Sequence, residues 1–223
     1  MKPFELLAQT LSPDGIVLKL LRRGDEYLIL ADGATLMSSR THGSEEALAT
    51  FACQRARTMQ RPSVLIGGLG MGFTLRAALD FLPPHATVVV AELVSTVVDW
   101  NRGPLGPLAA HPLNDKRVRV DARDVAVTLA STRAHFDAIL LDVDNGPAAF
   151  TASHNSALYN NRGIAAAHTA LKPNGLLAVW AAQDDRKFAQ RLRQAGFNVQ
   201  VHRVRARQKN GGPRHTIFLS HKS

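Results

Sequence analysis

The 223-residue chain contains one cysteine, Cys53, and few aromatic residues, 6% in all. A single thiol excludes an internal disulfide, so an apolar core must hold the fold. The nine histidines show neither HxxxH nor HExxH spacing, and no metal is expected. Long hydrophobic runs are also missing. No window approaches the ~20 uncharged apolar residues of a membrane span, and Met1-Lys2-Pro3-Phe4-Glu5 is not a basic stretch followed by an apolar one. The expectation is a cytoplasmic protein with no membrane partner.

Acidic residues are absent from one region. Arg186 to Ser223 holds ten Lys/Arg and no Asp or Glu, which leaves seventeen basic against eighteen acidic residues in positions 1–185. The net charge of +9 therefore belongs to the C-terminal part, and the body is nearly neutral. Arg203, Arg205 and Arg207 alternate as residues on one strand face do, with Lys209 and Arg214 flanking Gly211-Gly212-Pro213. Such a stripe suits nucleic acid or an acidic partner. A solvated sheet edge that resists edge-to-edge pairing is the preferred reading.

What is present, 45% hydrophobic residues, suffices for one sizeable core. Residues 16–21 and 27–30 are apolar runs on either side of Arg22-Arg23-Gly24-Asp25-Glu26, a β-hairpin pattern. We expect a short N-terminal β-element over 1–43 and a nucleotide-binding catalytic domain over 44–223. Ser44, ahead of two glutamates and the spacing Ala47, Leu48, Phe51, Ala52, reads as the N-cap of a helix. From Ser63 strands and helices alternate. Strands are expected at Val64–Ile66, Thr87–Ala91, Val118–Val120, Ala138–Leu141, Leu176–Ala181, Asn198–Val204 and Thr216–Leu219. Helices are expected at Phe73–Phe81, Val94–Asn101, Arg123–Ala130, Asn155–Leu171 and Asp184–Ala195. The class is α/β, with a Rossmann-like, mostly parallel sheet and a final antiparallel hairpin.

Gly68-Leu69-Gly70-Met71-Gly72 lies between the first parallel strand and its helix, where glycines permit a tight turn and a close nucleotide approach. Glu92 ends the next strand, where a carboxylate accepts hydrogen bonds from ribose hydroxyls. Asp121-Ala122 follows the third strand. Asp121 suits either the adenine amine or the N-cap of the helix beginning near Arg123. Asp142 ends the apolar run Ile139-Leu140-Leu141 at the carboxyl edge, placed to bind a cationic substrate and take its proton. Asp144 either assists it or opens the Asn145-Gly146-Pro147 turn, and the turn is favoured.

From about Leu28 onward the sequence resembles the polyamine aminopropyltransferases, the spermidine and spermine synthases. The likeness is carried by Ala31-Asp32-Gly33, by Gly68–Gly72 with Thr74-Leu75-Arg76 (the family's GGGDGGxLR), by Glu92, Asp121-Ala122 and Asp142, and by Leu158-Tyr159. The resemblance implies a seven-stranded sheet of the AdoMet-methyltransferase type behind a small β-element. It also implies Glu92 on ribose, Asp121-Ala122 at adenine, Asp142 as catalytic base and Tyr159 beside it. Departures fall on the substrate side: Met71 replaces the Asp of GGGDGG, and Ser44-Glu45 replaces a Tyr-His pair ahead of Glu46. Leu36 replaces a Gln, and Asp142–Pro147 replaces DxxDP. Three functions stay open: aminopropyl transfer from decarboxylated S-adenosylmethionine to an amine, AdoMet-dependent methylation of a small molecule, and non-catalytic nucleotide or RNA binding. The first is preferred, with a small-molecule amine and a second copy of the chain as expected partners and nucleic acid less favoured.

Overall fold

The structure is a computed structural model that describes residues 2–143, 146–148, 156–206 and 212–222. Its N-terminal part is an antiparallel meander of β1 (Glu5–Leu11), β2 (Val17–Arg23), β3 (Glu26–Ala31) and β4 (Ala34–Ser38), in that spatial order. The expected hairpin is therefore only the middle of a four-stranded sheet. In β1, Glu5, Gln9 and Thr10 interrupt the apolar residues, and a bulge between Leu6 and Ala8 breaks strict alternation, so the strand has no clear period-two signature.

A seven-stranded sheet follows. Its strands are β5 (Ser63–Gly67), β6 (Thr87–Ala91), β7 (Val118–Asp121), β8 (Phe136–Leu141), β9 (Leu171–Ala181), β10 (Phe197–Arg205) and β11 (Arg214–Lys222). Their order is β10-β11-β9-β8-β5-β6-β7, and all pairs are parallel except those of β11 with β9 and β10. The helices are α1 (Gly43–Cys53), α2 (Phe73–Phe81), α3 (Ser95–Arg102), α4 (Val125–Ala130), α5 (Ser156–Tyr159), α6 (Asn161–Ala170) and α7 (Arg186–Gln194).

Two apolar layers form because successive strand residues point to opposite faces. Val64 and Ile66 pack with Leu48, Leu75, Leu79 and Val97, on the side of α1, α2 and α3. Leu65 packs with Leu129, Ile164 and Phe188, on the side of α4, α6 and α7. Leu20 and Ile29 of the small sheet join the first layer, so the meander is fastened to the main core. Cys53 is buried in α1, where burial pushes its thiol up to about 12.

Three local expectations are corrected. Ser44 is not a cap: α1 starts two residues earlier than a Ser44 cap implies, with His42 at the N-cap position and the Gly43 N–H donating to the carbonyl of Ala206. Asp121 is not the cap of α4 either. Asp124 is, its carboxylate accepting from Ala126 N–H at 2.8 Å. The helix expected over 155–171 divides at Asn160, whose side chain accepts from the N–H groups of Arg162 and Gly163 and starts α6 afresh.

In the basic C-terminal part, β10 is the edge strand of the sheet. Arg203 and Arg205 are exposed along it, and Arg203 pairs with Asp184 at 3.0 Å. Arg207 lies outside the described residues. No helix among the described residues is long and apolar enough to cross a membrane.

Candidate active site

The parallel part of the sheet reverses direction of growth at β5, which has β6 on one side and β8 on the other. A crevice opens at the carboxyl ends of strands at such a point. Here the ends are joined by backbone hydrogen bonds: Gly68 N–H donates to Ala91 and Asp142 N–H to Gly67, each at 2.9 Å. Gly68 has φ +85°, and a Cβ there would strike the carbonyl oxygen of Asp142. Glycine is thus required where the end of β8 passes closest to the loop. Gly68 and Gly70 line the crevice, Gly70 lying under the flexible end of Met37. Gly72 is not a lining residue; it starts α2 with φ +83° against Asn101 and Pro112, a packing position.

The crevice is roofed by the small sheet. Ser12, Asp14, Ile16, Leu18, Ile29 and Met37 face Gly68, Gly70, Glu92, Asp124, Val125 and Asp142 across a cavity of about 1090 Å³, counted with its open mouth. Glu92 is buried, and both its oxygens are held: Oε2 accepts from Leu69 N–H and Oε1 from Val94 N–H, each at 2.9 Å. The carboxylate fixes the glycine loop to the start of α3. Asp121 is placed differently. Arg123 grips it through two hydrogen bonds of 2.6 and 2.8 Å, Thr128 adds a third, and Arg123 holds its pKa below the usual carboxylate range. Neither Asp121 nor the exposed Ala122 lines the cavity; Asp124 does.

A narrow cleft adjoins the first cavity, with room for about one water-sized group, and Asp142 and Met37 line both. Its other walls are Ser38, Glu45, Leu69, Met71, Phe73 and Thr74. Thr74 donates to Asp142 Oδ2 at 2.5 Å. Burial pushes Asp142 up to about 6 in spite of that donor. Burial, and then the Asp142 charge, push Glu45 up to about 7. Two carboxylates thus share one poorly solvated space and titrate as a pair. Ser44 donates to Glu45 Oε2 at 2.5 Å, and its hydroxyl also lies 2.8 Å from His215 Nδ1.

Glu45 was not among the residues expected at the site. Two successive glutamates in a first helical turn read as partners of the helix dipole, and only the rotation of α1 separates them: Glu45 faces Asp142, while Glu46 turns to His42 at 2.8 Å. Tyr159 is buried, stacks edge-on against Phe188 and donates to the Val143 carbonyl at 3.4 Å, one residue past Asp142; it lines neither cavity. Asp144 lies outside the described residues. Among the described residues no cluster of His, Cys, Asp or Glu is arranged to hold a metal ion.

The family model described as the spermine/spermidine synthase domain matches residues 42–199. The chain belongs to this family. It is accordingly a transferase. The matched region holds both glycine loop and carboxylates and leaves the N-terminal meander outside, whereas structural likeness extends over the whole chain. The crystal structure of spermidine synthase from Thermotoga maritima superposes with a TM-score of 0.76 at 18% identity, covering 98% of this chain and 73% of that one. A spermidine synthase in complex with the transition-state analogue AdoDATO gives 0.75 at 18%, covering 98% and 72%. A probable spermidine synthase from Corynebacterium glutamicum gives 0.64 at 17%, covering 100% and 81%. At these identities the likeness is one of fold. No curated protein sequence matches the chain.

Proposed function

We propose that the protein transfers the aminopropyl group of decarboxylated S-adenosylmethionine to an amine. The observation that carries this reading is the charge of the two cavities. Asp14, Glu92, Asp124 and Asp142 line the larger and Glu45 joins Asp142 in the smaller, while no Lys, Arg or His among the described residues lines either. Decarboxylated AdoMet brings a sulfonium and an ammonium and no carboxylate. AdoMet brings a carboxylate as well, which would meet Asp142 and Glu45 without a basic side chain to offset it. Family membership and the AdoDATO complex of a structural relative point to the same donor.

In this reading Gly68, Gly70 and Glu92 hold the nucleoside, with the base toward Asp124 and Val125. The sulfonium lies toward Asp142, at the junction of the cavities. Asp142 takes one proton from the acceptor ammonium. The freed lone pair attacks the carbon next to sulfur, a C–N bond forms, and the C–S bond breaks with its electrons staying on sulfur as a neutral thioether. Tyr159, bonded to the Val143 carbonyl, braces the chain beside that base. No step calls for a metal.

Methyl transfer from AdoMet is the second reading, favoured by one observation: Met71 is buried where the resemblance puts the carboxylate that helps hold the amine end of the donor's aminopropyl group. Calorimetry with decarboxylated AdoMet, AdoMet and methylthioadenosine, followed by mass spectrometry of products from a panel of diamines and polyamines, separates the two. The decarboxylated donor should bind about tenfold or more tightly than AdoMet, the effect of one unpaired like-charge contact. Equal or tighter AdoMet binding with a methylated product would overturn the proposal.

A further inference from the structure

We infer that Glu45 is the second carboxylate of the acceptor site, holding the acceptor's ammonium jointly with Asp142, and that Ser44 and His215 are positioning residues that aim it there. The inference deepens the proposed function and rests on it for the identity of the acceptor as an amine.

The geometry begins with α1. Its first turn is docked on the β10–β11 hairpin through Gly43 N–H to Ala206 and through Ser44 to His215. A Cβ at position 43 would press on the Ala206 and Arg205 carbonyls, so this approach depends on Gly43. Docking fixes the rotation of α1, and the rotation directs Glu45 into the cavity that Asp142, Thr74 and Met71 line. Ser44 is fully buried, and its hydroxyl has one proton. That proton goes to Glu45 Oε2, which leaves the Ser44 oxygen to accept from His215 Nδ1–H. His215 rests edge-on against Trp180 at 4.6 Å, and burial lowers its pKa, so it is neutral at pH 7 and serves as a hydrogen-bond partner rather than a charge. The groups that face Glu45 are Asp142 beyond β8, Thr74 on α2, and Ser44 and Glu46 on α1 itself.

Chemistry follows from charge count. A lone buried carboxylate neutralises one ammonium, but Met71 and Phe73 offer that ammonium no further acceptor. Glu45, which lines the same cleft, supplies it. With its carboxyl raised to about 7, the side chain is largely protonated in the empty cavity at pH 6.5 and ionises when a cation arrives, releasing a proton. A carboxylate on α1 reaches the acceptor from the side of β11 rather than from the donor's glycine loop. The cleft admits about one water-sized group, so it takes the acceptor's cationic nitrogen, and the rest of the acceptor extends outside it.

The experiment uses 1,4-diaminobutane as probe with the full chain and saturating methylthioadenosine. Calorimetry in buffers of different ionisation enthalpy gives affinity and protons released at pH 6.5. The parent should release about half a proton or more per diamine. Glu45→Gln should lose most of that release and bind the diamine about 10–100-fold more weakly, the loss of one charged hydrogen-bond partner. Its affinity for methylthioadenosine should stay parental, which also reports that the variant is folded. His215→Leu should move toward Glu45→Gln in both readouts, and His215→Gln, which keeps a hydrogen-bonding side chain, should restore them. Glu46→Gln is the control and should stay near parental. Parental affinity and proton release in Glu45→Gln would overturn the inference while leaving the proposed function intact. A parent that binds neither this diamine nor any other amine would overturn the proposed acceptor and the inference together.

Discussion

The Thr74 hydroxyl, in the first turn of α2, donates to Oδ2 of Asp142 just beyond β8 at 2.5 Å. This bond ties the helix that follows the glycine loop to the carboxylate at the junction of the two cavities. It also opposes burial, which alone would keep Asp142 protonated further up the pH scale.

Two substitutions separate the base from its donor. Asp142→Asn nearly preserves shape but removes charge and basicity, and turnover should fall by about 10²–10⁴-fold with nucleoside binding kept. Thr74→Val removes only the hydrogen bond, so the pKa of Asp142 should rise further and the acid limb of kcat/KM should move to higher pH. Below that limb the variant should be slower than the parent, and well above it the two should converge. Parental turnover in Asp142→Asn, or an unmoved acid limb in Thr74→Val, would remove these roles.

The same carboxyl pair makes stability depend on pH. Asp142 and Glu45 are raised to about 6 and about 7, so the folded protein binds their protons more tightly than the unfolded chain does. Their contribution is complete below about pH 4, the unfolded carboxylate range, and is lost as pH rises through the folded values. Asp142→Asn should therefore melt higher than the parent at pH 8 and lose that advantage by pH 4.5. Each tenfold difference in proton affinity between the folded and unfolded chain contributes at most about 1.4 kcal/mol, and each kcal/mol is about 2–4 °C for a chain of this size. A scanning-fluorimetry series over pH measures it. A variant that melts lower than the parent at pH 8 contradicts the assignment.

Most of the sheet was legible in the sequence because the parallel strands are short apolar runs closed by glycine or acidic residues. Val64–Ile66 followed by Gly68–Gly72, and Thr87–Ala91 followed by Glu92, admit few other readings. β1 was not legible, since its residues are part polar and its burial comes from β2 beside it. Of the residues lining the candidate site, Asp142 and Glu92 were visible because each ends an apolar strand. Glu45 was not, because nothing local distinguishes it from Glu46; what separates them is the docking of Gly43 on Ala206, a contact between positions far apart in the chain. The cap of α4 was misplaced at Asp121 rather than Asp124 for a related reason. Both follow β7 within a few residues, and only the side-chain fork of Arg123 decides which one is turned away.

Glu92 holds the glycine loop to the start of α3, and in the proposed function it also contacts the ligand. Glu92→Ala should weaken methylthioadenosine binding by about 1–3 kcal/mol, the range for charged acceptors. It should also lower the melting temperature in the absence of ligand, since Leu69 and Val94 N–H lose their acceptor. Glu92→Gln keeps one acceptor oxygen and should fall between. A folded Glu92→Ala protein with parental affinity would take Glu92 out of the nucleoside site.

The third carboxylate of the nucleoside site should be Asp124 and not Asp121. Asp121 is committed to Arg123 and Thr128 and does not line the cavity, so Asp121→Asn should leave affinity for methylthioadenosine near parental. Its cost should appear in stability, and modestly, because the Arg123 partner is exposed and such pairs contribute about 0–1 kcal/mol. Asp124 caps α4 and also faces the base end of the cavity beside Val125. Asp124→Ser keeps a capping oxygen but removes the charge, so helix α4 should be retained while affinity for an adenine nucleoside falls. If the exocyclic amine is what Asp124 accepts from, the inosine analogue of methylthioadenosine, which lacks that amine, should bind the parent weakly and Asp124→Ser no more weakly than it binds the parent. Full affinity in Asp124→Ser with loss in Asp121→Asn would return the adenine to Asp121, as the sequence resemblance had it.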